Sequence, residues 1–451
     1  EAIGSLREAI AHQWADFEFL QREPAFQKLK ENPDYQELLA ALPSTTDPYL
    51  PTAAFEHKTV WAANGYANTT PDQGEQYYLS TVLAASHSQG LSLAEHLQYL
   101  DRAVKSDATA PEGSFYFAST RDVRTKARAP QFAGAMAVLK KLGYPSAVVT
   151  TWAPMGRRDI LGLSFGVARY RWSETQSQFL PGAIGECLTS AGGNFANESQ
   201  TPLTEMLRAG AAGSSGTVAE PYAIHQKFPH AMMYVHYVRG ASLAEAYYQS
   251  VHAPYQLLIV GDALCQPWAK SVDFDVRGIA AGDKLDAPRE LECVAAGPSS
   301  DQVAEFRVFV NGVLRGTAAP GQAFRLTKSK LGPGAHELRV VAVRRDHVAS
   351  QSRQTIPFQV GEAAIALRAD PIARTGDPKI TVRATLSGVK ARRSPPIVLY
   401  QHARKVGKFD APDTPLQLDR ELLGSGPVQV RARAVLGGQA VWSPPLWLEV
   451  P

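Results

Sequence analysis

The spacing of apolar residues along this chain changes three times. Near the start it is helical: Leu6, Ile10, Trp14 and Phe17, then Phe26, Leu29, Tyr35, Leu38 and Leu39 beyond a break near Pro33. This predicts a helical arm over residues 1–45 that docks by its apolar face. Residues 43–75 lose the period and are rich in Pro, Thr, Asn and Asp. Four aromatic residues there, Tyr49, Phe55, Trp61 and Tyr66, mark an ordered connection rather than a flexible linker.

From Tyr77 short apolar runs alternate with helical periods. Strands are predicted at 77–84, 115–120, 146–152, 159–168 and 256–262, and helices at 92–105, 129–144, 231–240 and 242–251. Ser92 with Glu95 reads as a capping box, and Gly143 as a helix stop. The strand–helix–strand run over 115–152 predicts a parallel pair with a right-handed crossover. Together these give one three-layer α/β domain over 46–275 with a mostly parallel sheet.

After Lys270 the period becomes two. Alternating runs lie at 305–314, 323–331, 336–344 and 353–360, and Asn311-Gly312 between Val310 and Val313 is a hairpin signal. A second block of similar length, 363–451, repeats the pattern. Turns every ~8–12 residues predict two all-β, immunoglobulin-like sandwiches, placed at 276–361 and 362–451. Neither carries the Cys…Trp…Cys spacing of antibody domains.

Composition narrows the function classes. A net charge of +3 over 451 residues, without a Lys/Arg-rich run, argues against nucleic acid as partner. No apolar run approaches the ~20 residues that span a bilayer. Three cysteines, Cys187, Cys265 and Cys293, make no disulfide framework and no zinc spacing. Asn68 and Asn197 sit in glycosylation-type triplets, for which chance is the simpler explanation.

The chemistry-bearing stretch is 181–221. It reads as two strand ends running into small-residue loops, Ser190-Ala191-Gly192-Gly193 and Gly213-Ser214-Ser215-Gly216. Open α/β sheets place their sites at such strand ends. Ser214 or Ser215 could act as a nucleophile, with His225 or His230 as base and Glu220 as the acid that orients it. The bland reading is a turn whose small residues allow close packing. Cys187 reads as a core thiol and Cys265 as a strand-end residue. His225, His230 and His236 are spaced by five and six, which does not set two rings on one helix face for a metal. No phosphate-binding glycine motif is present, so the expectation is no metal and no cofactor.

The segments FYFASTRDVRTKARAPQFAGAMAVLKKLG, PGAIGECLTSAGGNF, LTEMLRAGAAGSSGTVAEPYAIHQKFPH and YVRGASLAEAYYQSVHAPYQLLIVGDALCQP resemble an uncharacterised family of bacterial exported proteins. More distantly, the layout resembles the caspase-like, flavodoxin-like α/β fold of gingipain-type cysteine peptidases. Those carry a His in the first loop and a Cys in the second. Here Ala191 stands at the His position and Gly213 or Ser214 at the Cys position. The resemblance implies the fold with its dyad missing. It points to a non-catalytic, secreted, periplasmic or cell-surface protein whose signal peptide was removed ahead of Glu1. The partner expected is a protein or cell-surface polymer, with homo- or hetero-oligomers admitted. The alternatives are a Ser or Cys hydrolase and an intracellular accessory subunit.

Overall fold

The computed structural model describes residues 3–6, 26, 28–41, 55, 60–68, 78–297, 300–329, 331–346, 348–370, 378–389 and 394–450. The chain divides into two compact units, Glu1–Lys270 and Ser271–Pro451. Of the arm expected over 1–45, the described part holds helix α1 (Pro33–Ala41), with its proline in the first turn where no N–H is needed. The spacing noted at Ile10, Trp14 and Phe17 lies outside the described residues. Part of the aromatic connection forms a small ladder, β1 (Val60–Trp61) with β2 (Ala67–Asn68).

The first unit is built on a seven-stranded sheet. Its strands are β3 (Leu79–Val82), β4 (Ser114–Ala118), β5 (Ser146–Val149), β6 (Ile160–Gly166), β7 (Phe179–Leu188), β8 (Gly213–Thr217) and β9 (Leu257–Gly261). Their order is β3-β9-β8-β7-β6-β4-β5. Five of the six pairings are parallel. The sixth, β8 with β9, is antiparallel, so the sheet is mixed.

Helices cover both faces. They are α2 (Leu93–Ser106), α3 (Val123–Arg128), α4 (Phe132–Lys141), α5 (Thr204–Arg208), α6 (Met233–Val238) and α7 (Leu243–Tyr248). The Ser92–Glu95 capping box is formed, and Ser242–Glu245 makes a second one ahead of α7. Tyr99 of α2 and Leu207 of α5 pack with Val260 on one face. On the other, Tyr234 of α6 lies over Gly162 and Leu243 of α7 over Gly213. With both faces covered, β6 and β8 are buried along their whole length.

One prediction is corrected here. Gly213-Ser214-Ser215-Gly216 was expected as a strand-end loop, and it is the body of strand β8. Neighbours on both sides, β7 and β9, supply the ladder that this weak strand former could not specify alone.

The second unit holds two antiparallel sandwiches. The first packs a three-stranded sheet, β10 (Asp273–Arg277), β11 (Arg289–Ala296) and β14 (Ala323–Leu326), on a four-stranded one. The latter runs β13 (Val313–Ala318), β12 (Val303–Val310), β15 (Gly334–Arg344), β16 (Gln351–Val360). Phe274, Leu291, Phe306, Leu338 and Phe358 fill its core. Asn311 (φ 51°) and Gly312 (φ 78°) join the paired Val310 and Val313, as a two-residue hairpin of mirror-image turn type requires.

The second sandwich repeats the plan. Strands β17 (Ala364–Ala369), β18 (Lys379–Ser387) and β21 (Leu416–Asp419) form one sheet. Strands β20 (Arg404–Phe409), β19 (Ile397–Gln401), β22 (Gly426–Leu436) and β23 (Gln439–Trp442) form the other. Strand β24 (Leu446–Val450) continues along β22 beyond Pro444 and Pro445. Prolines break a ladder, and Ser443 repairs this one: its Oγ accepts from the Ala432 N–H at 2.9 Å.

Candidate functional site

The carboxyl ends of β6, β7 and β8 are where an open sheet would hold a ligand. The chain runs outward from β4 to the edge strand β5 and returns to β6 on the other side of β4, so the topological switch point lies between β4 and β6. Here that position is covered. Asp122 caps α3 by accepting from the Arg124 N–H at 2.9 Å, and α3 then runs across the end of β6. Thr125 Oγ1 donates to the Gly166 carbonyl at 2.9 Å. A Cβ at Gly166 would come within 2.7 Å of the Arg124 backbone, so only glycine permits this approach.

The last residue of α3, Arg128, is 1% exposed and enters the sheet. Its Nη1 donates to the carbonyls of Phe165 at 3.4 Å and Glu186 at 3.2 Å, and its Nη2 to that of Pro229 at 3.0 Å. It also faces Glu186 Oε1 at 3.6 Å. Glu186 is fully buried in β7, and its Oε2 accepts from Ser215 Oγ at 2.5 Å. Ser164, 3.0 Å from the Tyr234 hydroxyl, completes the cluster. Burial raises the Glu186 pKa to about 7, against the opposing pull of Arg128 and of the Ser215 hydrogen bonds. The space against β6, β7 and β8 is thus occupied by the protein's own guanidinium, carboxylate and hydroxyls.

The loop after β7 is equally closed. Thr217 Oγ1 donates to the Thr189 carbonyl and the Gly193 N–H to the Thr217 carbonyl, both at 3.0 Å. Ala191 is buried and its N–H donates to Gln200 Oε1 at 2.9 Å. A Cβ on Gly216 would stand 2.5 Å from the Gly192 backbone.

Ser214 and Ser215, adjacent in a strand, point to opposite faces. Ser214 Oγ meets Met206 Sδ at 3.8 Å, while Ser215 meets Glu186. His230 is buried: its Nδ1 accepts from the Met232 N–H at 3.1 Å, and its ring stacks on His252 at 5.5 Å. Burial, then the nearby His252, holds its pKa well below the usual histidine value. His225 sits half-buried in the short turn His225–Lys227. Glu220 is exposed and accepts from the Tyr222 N–H at 2.9 Å. Among the described hydrogen bonds, none joins any two of Ser214, Ser215, His230 and Glu220. His236 lies buried in α6. Among the described residues, no group of three or more His, Cys, Asp or Glu could hold a metal.

All three thiols are buried. Desolvation pushes Cys187 up to about 12, and Cys265 and Cys293 up to about 11.

Sequence reasoning missed the two charged residues of this buried cluster. A charged residue inside GAIGECL demanded a buried partner, and Arg128 supplies it. It also missed Lys227, which is 0% exposed. The Lys227 ammonium lies 4.4 Å from the ring centres of both Trp61 and Tyr255 and 5.6 Å from Tyr222, and it donates to the Gly65 carbonyl. Burial lowers its pKa to about 8.

No family model matches the chain, and no curated protein matches it. Solved structures do. Fibronectin(III)-like modules of Clostridium thermocellum CbhA share 12% identity over 39% of this chain and 91% of theirs, at a TM-score of 0.18. Dimeric latent PorU from Porphyromonas gingivalis shares 12% identity over 40% of this chain, which spans only 20% of PorU, at 0.15. The central fibronectin-III array of RIM-binding protein shares 18% identity over 43% of this chain and 67% of its own, at 0.15. At such TM-scores the description of an α/β domain with β-sandwich modules rests on the strand orders themselves. No described helix is long and apolar enough to cross a membrane.

Proposed function

We propose that this chain is a non-catalytic binding protein that works outside the cytoplasm. In this reading, a caspase-like α/β domain with closed peptidase-type loops carries two sandwiches that attach to a protein or cell-surface polymer. The observation that carries it is the Arg128–Glu186–Ser215 cluster, which is buried against β6, β7 and β8 and commits the Ser215 hydroxyl to a carboxylate. Burial of Ser214 against Met206, and of all three thiols in protonated form, supports the same reading.

The alternative is a hydrolase using Ser214 or Ser215 with His225 or His230 and Glu220. It needs a serine hydroxyl within ~2.6–3.2 Å of a histidine nitrogen and open to substrate. The two hydroxyls are instead 0% and 1% exposed residues directed to Met206 and Glu186.

The test combines two measurements on the full chain. A fluorophosphonate probe and iodoacetamide at neutral pH should label nothing until urea is added. Protein added to washed cell envelopes of the source organism should be retained through a buffer wash. Labelling of Ser214, Ser215 or a cysteine in the native state would overturn the non-catalytic reading. Loss of all protein in the wash would overturn the surface-binding role.

A further inference from the structure

The outer face of the second sandwich's four-stranded sheet carries an arrangement that the chain's near-neutral total charge conceals. Strand register fixes which residues share that face. Lys408 pairs with Val398, Val398 with Arg433, and Arg433 with Trp442, which makes one row across four strands, roughly 14 Å at the usual strand spacing. In the next row Lys405 pairs with Tyr400 and Tyr400 with Arg431. The alternate residues Leu399, Ala432, Ala434 and Val441 are in the core, so these rows face outward.

The two arginines are held in place. Arg431 and Arg433 lie 5.3 and 5.8 Å from the Trp442 ring centre, and Tyr400 packs on the same ring at 5.4 Å. Arg431 Nε also donates to the Ser443 carbonyl at 3.0 Å. Lys405 and Lys408 are exposed. No carboxylate stands within the two rows. Carboxylates stand around the rows: Asp410, exposed two residues beyond Lys408, Glu449 opposite Pro427, and Glu337 of β15, whose charge acts on Arg431.

We infer that this face binds an acidic polysaccharide whose sugars bear carboxylates. Guanidinium forks already ordered on an aromatic ring lose little freedom on pairing with carboxylates. Four cations on one sheet face suit a chain of repeating negative charge. Single-stranded nucleic acid fits less well, because it needs several free rings for successive bases. Here Trp442 is already covered by Arg431, Arg433 and Tyr400, and Trp447, 60% exposed beside Gln429, is the ring left open. The inference rests on the surface-binding reading and names the chemistry of its partner.

The experiment is a titration of the full chain, at ~50 mM and ~500 mM salt, with polygalacturonate, its methyl ester and poly(dT). Saturable binding of polygalacturonate at low salt, weakened at high salt and absent for the ester, is expected. Lys405→Gln/Lys408→Gln, both exposed, should weaken it roughly tenfold or more, and Arg433→Gln comparably. No binding of polygalacturonate at low salt, unchanged affinity in the lysine pair, or tighter binding of poly(dT) would overturn the inference. Retention on envelopes without affinity for the polymer would overturn it while leaving the surface-binding reading intact. Native-state labelling of a serine would overturn the non-catalytic reading alone.

Discussion

Ser215 and Glu186, on neighbouring strands β8 and β7, are joined by a 2.5 Å hydrogen bond beneath a sheet that admits no solvent to either. With Arg128 at 3.6 Å, they form a buried polar core against β6, β7 and β8. A buried charge pair costs desolvation and is worth little against an apolar replacement, but breaking it leaves one charge stranded.

Arg128→Met should therefore destabilise the first unit by about 3–5 kcal/mol, and adding Glu186→Leu should recover most of the loss. Ser215→Ala, which removes one donor to Glu186, should cost about 1–3 kcal/mol. Five of the seven tryptophans fall within residues 1–270, so urea denaturation followed by fluorescence reports mainly on this unit. An Arg128→Met protein as stable as the parent would show that the pair does not hold this core together.

Stability should fall on acidification, and Glu186 should soften the fall. Its pKa is raised from 4.5 to about 7, so the folded state keeps a proton that the unfolded state releases. That contribution is complete below about pH 4.5 and disappears as pH rises through about 7. His236, lowered from 6.5 to about 4 by burial, and His230, lowered for the same reason, act oppositely: their stabilisation is present above 6.5 and is lost as pH falls. Two histidines outweigh one carboxylate in the shared window. Glu186→Gln should steepen the drop in urea midpoint between pH 6.5 and 4.5, and His236→Leu should flatten it. The opposite order of slopes would refute this assignment.

The three thiols should be silent at neutral pH. With Cys187 pushed up to about 12 and the other two to about 11, almost no thiolate exists at pH 8. Ellman's reagent should find none of them in the native protein and all three in urea. One rapidly titrating thiol without denaturant would contradict the burial.

Lys227 should act as a latch for the β1–β2 ladder, because its ammonium sits against Trp61 and donates to Gly65 between the two strands. A desolvated cation–π contact is worth about 2 kcal/mol. Lys227→Met keeps the apolar stem and removes those contacts. Limited proteolysis should then cut within residues 60–68 faster than in the parent chain. An unchanged cleavage pattern would mean that the Trp61 Nε1–Ala253 carbonyl bond, at 2.9 Å, and the Tyr255 hydroxyl–Ala63 carbonyl bond, at 2.7 Å, hold the ladder without Lys227.

Much of this architecture was legible because it is local. The Ser92–Glu95 box, the Asn311-Gly312 turn and the switch from helical to two-residue period each depend on neighbours in the chain. The site was less so. Ser214 and Ser215 looked like loop residues because Gly-Ser-Ser-Gly has no strand preference of its own. Glu186 passed unnoticed inside an apolar run, as did Arg128 at the end of a basic helix. Their pairing spans a sequence separation that no periodicity encodes.

The sequence by itself determined the order of elements and the α/β-then-β division, since these depend on residue type and spacing. Tertiary structure decided that the small-residue stretch is a buried strand, that Ser215 serves Glu186 rather than a histidine, and that Lys405, Lys408, Arg431 and Arg433 share one face. The physical reason is the same in each case. Hydrogen-bond ladders and buried charges are satisfied by partners distant in the chain, and only packing brings those partners together.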